Sequence, residues 1–161
     1  MSQDIHVKLD GIKGESQHSE HTDEIKVETF SWGASNPTSF ADGGGGGVGK
    51  AHLQDIHFTK RIDKSSGDLF AACTTGEHIK DAIFTFRKAG KTQKPYLTIT
   101  LTDVMVSSYT LQDHGSGGDL PHESVSLAYA EIKKEYKAQN AKGDLEGGSP
   151  VGWSITKSKK I

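Results

Sequence analysis

Tyr96-Leu97-Thr98-Ile99-Thr100-Leu101-Thr102-Asp103-Val104-Met105-Val106-Ser107-Ser108 is the stretch that decides the fold class. Leu97, Ile99 and Leu101 alternate with Thr98, Thr100 and Thr102, the period of an extended strand with one buried face. Val104 and Val106 then take the opposite parity. A period of two cannot change face without a bulge or bend. A long strand that changes face once can run from one sheet into another, as in barrels and orthogonal sandwiches.

The same signature recurs on both sides of this stretch. Residues 24–33 place Ile25, Val27, Thr29 and Ser31 on one face and Lys26, Glu28, Phe30 and Trp32 on the other, with the apolar side switching midway. Val125, Leu127 and Tyr129 face away from Ser124, Ser126 and Ala128 until Ile132 breaks the phase. Ile5, Val7 and Leu9 alternate with His6, Lys8 and Asp10, and Ile56, Phe58 and Ile62 share a face. Further strands are expected at 82–88 and 151–156. One helix is predicted at about 66–75, with hydroxyl caps from Ser65 and Ser66, Asp68 at the positive end of the dipole and Gly76 as C′. Leu69, Ala72 and Cys73 give it one apolar stripe. Residues 36–50 contain an unbroken glycine run, show no periodicity and read as one long loop. The expected fold is therefore mostly β, a compact β-barrel or two packed antiparallel sheets with one short helix, in a single domain over 1–161.

Composition narrows the function classes. In 161 residues, Lys+Arg 19 against Asp+Glu 21 leaves no basic excess to neutralise a phosphate backbone, so nucleic acid is not an expected partner. No apolar run approaches the roughly 20 residues that a spanning helix needs, so no membrane insertion is expected. Met1 to Val7 has neither a basic nor an apolar signal region, which predicts folding in the cytoplasm and no simple signal-peptide export. Cys73 is the only cysteine; it can form no intrachain disulfide and reads as a small buried hydrophobe.

Motifs that would carry chemistry fail on context. Gly44 to Lys50 fits G-x-x-x-x-G-K, but Ala51 stands where a hydroxyl must hold Mg²⁺, and strand-like alternation follows where a helix is required. Gly14-Glu15-Ser16-Gln17-His18 lacks the last glycine and the helix of a nucleophile elbow. His18-Ser19-Glu20-His21 offers two of the three or four converging ligands that zinc needs, and no third is singled out by spacing. The histidines are read as exposed and polar. Carboxylates stand singly, so no acid–base pair is nominated, and Phe30 and Trp32 read as core or interface aromatics. No catalytic, cofactor-binding or metal-ligating residue is assigned. Long strands in so small a domain are expected to leave open edges, which symmetric association of identical subunits satisfies, with 36–50 as a candidate arm.

The order and spacing of several segments carry a specific resemblance. These are 6–16 (HVKLDGIKGES), Glu24-Ile25-Lys26-Val27 leading to Phe30-Ser31-Trp32-Gly33, the glycine run ending at Gly49-Lys50, 55–73 (DIHFTKRIDKSSGDLFAAC), 96–108, 123–127 with Tyr129, Ile132 and Tyr136, and Gly152-Trp153. On these the chain resembles, nearly end to end, the haemolysin-coregulated protein (Hcp) family, inner-tube subunits of the bacterial type VI secretion system. The resemblance implies a homohexameric ring with a wide pore, rings that stack into a tube inside a contractile sheath and under a VgrG-type spike, and a lumen that holds small secreted effectors. It implies a structural subunit and not an enzyme, one that waits in the cytoplasm and leaves with the machine when it fires. Ser31 matches a pore-facing position and is the expected effector contact. Asn36, Pro37, Phe40, Gly44, Gly45, Gly46, Gly49 and Lys50 match the arm that reaches adjacent subunits or rings, and Gly90 and Lys157 are expected stacking positions. Without the resemblance, the alternative is a soluble monomeric β-barrel hydrolase or nucleotide-binding enzyme.

Overall fold

The computed structural model describes residues 3–39, 47–88, 94–115 and 117–161. In chain order its elements are β1 (Gln3–Leu9), β2 (Ile25–Val27), β3 (Thr29–Ser31), β4 (Ala34–Ser35), β5 (Thr38–Ser39), β6 (Gly47–Val48), β7 (His52–Leu53), β8 (Ile56–Arg61), α1 (Ser66–Thr75), β9 (His78–Lys88), β10 (Pro95–Gln112), β11 (His122–Tyr136), β12 (Val151–Ser154) and β13 (Lys159–Lys160). The fold is mostly β with one short helix, as the alternation requires.

The main sheet runs β13-β12-β11-β10-β9-β1-β2, all antiparallel. β8 adds to the first half of β11 and β3 adds to β8. The sheet is not one continuous closed ladder. It curls so far, however, that a single extended segment bridges its two ends: β2 pairs with β1, and β3, one residue later, pairs with β8. Glu28 is the joint, and its N–H donates to Thr59 O at 2.8 Å. Ile25 and Val27 are buried before this joint, and Phe30 packs against the core after it. The switch of apolar side in residues 24–33 is thus a change of pairing partner.

The phase change in β10 has a different origin. Leu101 and Val104 are buried with Thr102 and Asp103 exposed between them; β11 buries Ile132 and Tyr129 around Ala130 and Glu131, and β9 buries Ile79 and Ala82 around Lys80 and Asp81. These positions are in register: Leu101 pairs with Ile132 and Ala82, and Val104 with Tyr129 and Ile79. Three strands therefore turn over at one level, with Asp103 in the left-handed region at φ 55°. A short polar side chain tolerates that conformation better than a bulky one. A second irregularity, at Val106/Ser108, is a β-bulge.

α1 occupies the predicted span. Leu69 and Ala72 are buried, the helix packs against β10, and Gly76 closes it at φ 69° with its N–H donating to Ala72 O. The expected Ser65 cap is replaced. Asp63 Oδ1 accepts the Ser65 N–H at 2.9 Å, and the Ser66 hydroxyl turns inward to Glu123 at 2.6 Å.

Within the 36–50 loop and at its flanks, the described residues form short ladders. β4 pairs with β7 and β5 with β6, so the chain runs out of the body and back as a two-stranded ribbon. Its dipeptide strands are too short for an alternation to show. Gly49 N–H donates to Pro37 O at 2.9 Å, and a Cβ on Gly49 would stand 2.5 Å from Pro37 Cγ. Glycine is needed there because the two backbones touch.

Candidate functional site

The outward face of β3, β8, β11 and β10 is built of hydroxyls. Cross-strand register places Ser31, His57, Ser126 and Ser108 in one row and Thr29, Thr59, Ser124 and Thr110 in the next. Residues of these rows alternate with Phe30, Phe58 and Val125, which point into the core. Thr29 Oγ1 and Thr59 Oγ1 lie 2.6 Å apart, and His57 Nδ1 lies 2.5 Å from Ser126 Oγ. Arg61 and His122 end the patch, with His122 Nδ1 2.9 Å from Glu28 Oε1. Ser31 is exposed at the edge of this face. A surface of small hydroxyls offers hydrogen bonds in both directions and no apolar grip.

The arm leaves the body beside an apolar groove of about 710 Å³, whose walls include Trp32, Leu53, Ile132, Tyr136, Val151 and Trp153. Tyr136 is 57% exposed and Val151 56%. The arm's root is pinned by a relay: Trp32 Nε1–H donates to Tyr129 Oη at 2.7 Å, and Tyr129 Oη donates to Gln54 O at 2.7 Å. Burial raises the Tyr129 hydroxyl's pKa above its ordinary value, so it stays a donor. The expectation that Phe30 and Trp32 are core or interface residues holds: Phe30 meets Phe84 and Phe86 edge to face, and Trp32 lies at the junction of core and groove.

Asn36, Pro37, Lys50 and Lys157 are all exposed, and Pro37 and Gly49 are brought together as described. Phe40, Gly44, Gly45, Gly46 and Gly90 lie outside the described residues. Lys50 of the G-x-x-x-x-G-K stretch is followed by β7, and no helix N-terminus receives a phosphate there. Gly14 lies between β1 and β2 with its N–H donating to Asp23 O at 2.8 Å, and a Cβ there would stand 2.5 Å from Glu24 O.

The reading of the histidines as exposed is corrected. His6 and His21 are buried, and His21 stacks on His6 with centroids 4.7 Å apart and planes 9° apart. His18 tilts against both, at 5.4 and 5.3 Å. The third partner that spacing could not single out is fifteen residues away from His21 and comes from β1. Among the described residues no group of three His, Cys, Asp or Glu side chains is arranged to hold a metal ion. Sequence reasoning also missed Lys60 and Glu123, both wholly buried, with Lys60 Nζ 2.5 Å from Glu123 Oε1 and 2.9 Å from Asp63 Oδ1.

The model of a family described as type VI secretion system effector, Hcp, matches residues 6–136. The protein hcp1 of Pseudomonas aeruginosa is 45% identical over 159 residues, covering 96% of each chain. A solved structure described as a type six secretion system protein is 31% identical, covers 99% of this chain and 100% of its own, and superposes with a TM-score of 0.94. Hcp1 from Salmonella typhimurium is 30% identical with full coverage of both chains and a TM-score of 0.80.

Proposed function

The chain belongs to the Hcp family of type VI secretion proteins, and from that membership we propose that it is the repeating subunit of the secretion tube, with a structural and not a catalytic role. Six copies close into a ring, rings stack inside a contractile sheath under a VgrG-type spike, and the lumen holds small effectors without a covalent link. The subunit folds in the cytoplasm and is delivered to the target cell when the tube is fired. The observation that carries this reading is the arm: a two-stranded ribbon, pinned at its root and set beside a groove that leaves Tyr136 and Val151 open to solvent. Backbone groups along an unpaired ribbon edge and apolar side chains in a groove are both satisfied by another copy of the same chain. Asn36, Pro37, Phe40, Gly44, Gly45, Gly46, Gly49 and Lys50 then belong to the contact between subunits or rings, and Gly90 and Lys157 to stacking surfaces.

Ser31 is assigned to the lumen wall. The hydroxyl face around it suits a passage that must bind polar protein surface weakly and release it. Size-exclusion chromatography with light scattering should give a species of about six times the 17.3 kDa chain mass; a monomer persisting at moderate concentration counts against the ring. Ser31→Arg should leave that species intact and abolish effector retention, read by mass spectrometry of captured material. Retention equal to wild type removes Ser31 from the lumen contact.

A further inference from the structure

The segment between β1 and β2, residues 12–24, folds back over the sheet and is held at its far end by histidine rings. Backbone hydrogen bonds give it shape, among them Gly14 N–H to Asp23 O at 2.8 Å, Ser16 N–H to Glu24 O at 3.0 Å, Asp23 N–H to Ser16 O at 2.9 Å and Glu24 N–H to His21 O at 3.1 Å. It is attached to β1 by the ring stack and a Leu9–Ile12 bridge, and to β9 through Arg87, which pairs with Glu20 at 3.0 Å and with His21. Arg87 Nε–H on β9 donates to His21 Nε2 at 2.8 Å, so that nitrogen carries no proton; the ring's hydrogen sits on Nδ1 and is donated to the Glu24 carboxylate at 2.9 Å. His18 Nδ1 likewise accepts, from the Glu20 N–H at 3.2 Å. His6, 3% exposed, completes the stack from β1, and its buried Nδ1 has no hydrogen-bond partner.

We propose that His6, His18 and His21 form an acid-released latch, which clips residues 12–24 to β1 and β9 while the rings are uncharged and lets the segment lift from the sheet when His6 takes a proton. The charge would lie against two further imidazoles and close to Arg87, in an imidazolium whose Nδ1–H has no acceptor. A protonated His21 would also turn Nε2 into a donor facing the Arg87 donor. Other charged groups face His6 from each element around it. On its own strand these are Asp4 and Lys8 by alternation, and across the ladder Lys26 on β2 and Arg87 on β9. Glu15 of the segment, Glu28 after β2, and Arg61 with Asp63 at the end of β8 line the open cleft of about 720 Å³ that borders His6. Glu20 is taken by Arg87 and Glu24 by His21. Burial, with His21 and His18 next, lowers the His6 pKa to about 4; Asp4 opposes this and Lys26 adds to it. The sign follows: an imidazole lowered from 6.5 supports the closed form fully above pH 6.5 and loses that support as pH falls toward 4.

Hydrogen exchange on the assembled protein, corrected for intrinsic rates, reads the latch directly. Between pH 7.5 and pH 5 the opening of the Gly14, Ser16, Asp23 and Glu24 amides should rise about 30-fold, the ratio that values of 6.5 and about 4 imply. Amides of the β10–β11 ladder should not follow. In His6→Phe, which keeps a ring to stack on His21 but cannot be charged, the rise should vanish. An unchanged segment in the wild type, an equal rise in the variant, or a β10–β11 ladder that opens in step would each overturn the latch. If His6→Phe does not fold, ring proton shifts of His6 in the wild type decide: they should titrate together with the opening of the segment, and a His6 that takes its proton near 6.5 with the four amides still protected overturns it.

Discussion

Lys60 and Glu123 are wholly buried and 2.5 Å apart, on neighbouring strands, and each has further partners. Lys60 Nζ also reaches Asp63 Oδ1 at 2.9 Å and Ser66 Oγ at 3.4 Å, while Glu123 accepts from the hydroxyls of Ser66 and Tyr109. The network ties β8, the first turn of α1, β10 and β11 to one carboxylate. Such a pair adds little net stability over an apolar replacement, since desolvation offsets the attraction, but removing one partner leaves a buried charge uncompensated. Lys60→Met should therefore cost about 3–5 kcal/mol in urea unfolding. Lys60→Met combined with Glu123→Leu should recover most of that loss, and a double variant as unstable as the single one would show that the pair supplies more than mutual neutralisation. Alternation already puts residue 60 on the inner face with Ile56 and Phe58. What it lacks is the identity of the partner, which lies on a strand 63 positions away. His6 is hidden for the same reason, because its neighbours His18 and His21 reach it only after residues 12–24 fold back.

At the scale of elements, local patterns were legible to the degree that each element's surroundings are local. α1 depends on a cap region, one stripe and a terminal glycine, all contiguous, and its span follows from them. The phase changes in residues 24–33, 96–108 and 123–136 are visible in sequence, but their causes differ and are set by partners. At Glu28 the strand trades β1 for β8; at Asp103 three registered strands bend together. Nothing along one strand distinguishes these cases. The arm was the least legible element, because dipeptide ladders carry no period to read. The hydroxyl rows around Ser31 are similar, since each serine or threonine is unremarkable until register places seven of them, with His57, on one face.

For the whole molecule, the body and the arm answer to different forces. The core cluster runs through β1, β2, β8 to β11 and α1, and among the described residues the arm's four short strands contribute to it only through Leu53 at its margin. A change confined to the arm should thus separate folding from assembly. Gly49 is the place to make it, because a side chain there collides with Pro37 and no core residue stands in the way. Gly49→Ala is expected to spread the ribbon near its root while the far-ultraviolet circular dichroism and the β9–β11 exchange protection stay at wild-type levels. Under the ring reading, the light-scattering mass should fall below sixfold at concentrations where the wild type is fully assembled, and the loss should be reversed by raising concentration, since the free energy removed belongs to association. A variant that keeps the sixfold mass across the same dilution series would mean that the arm does not hold subunits together, and would leave the groove beside Tyr136 and Val151 as the surface on which closure depends.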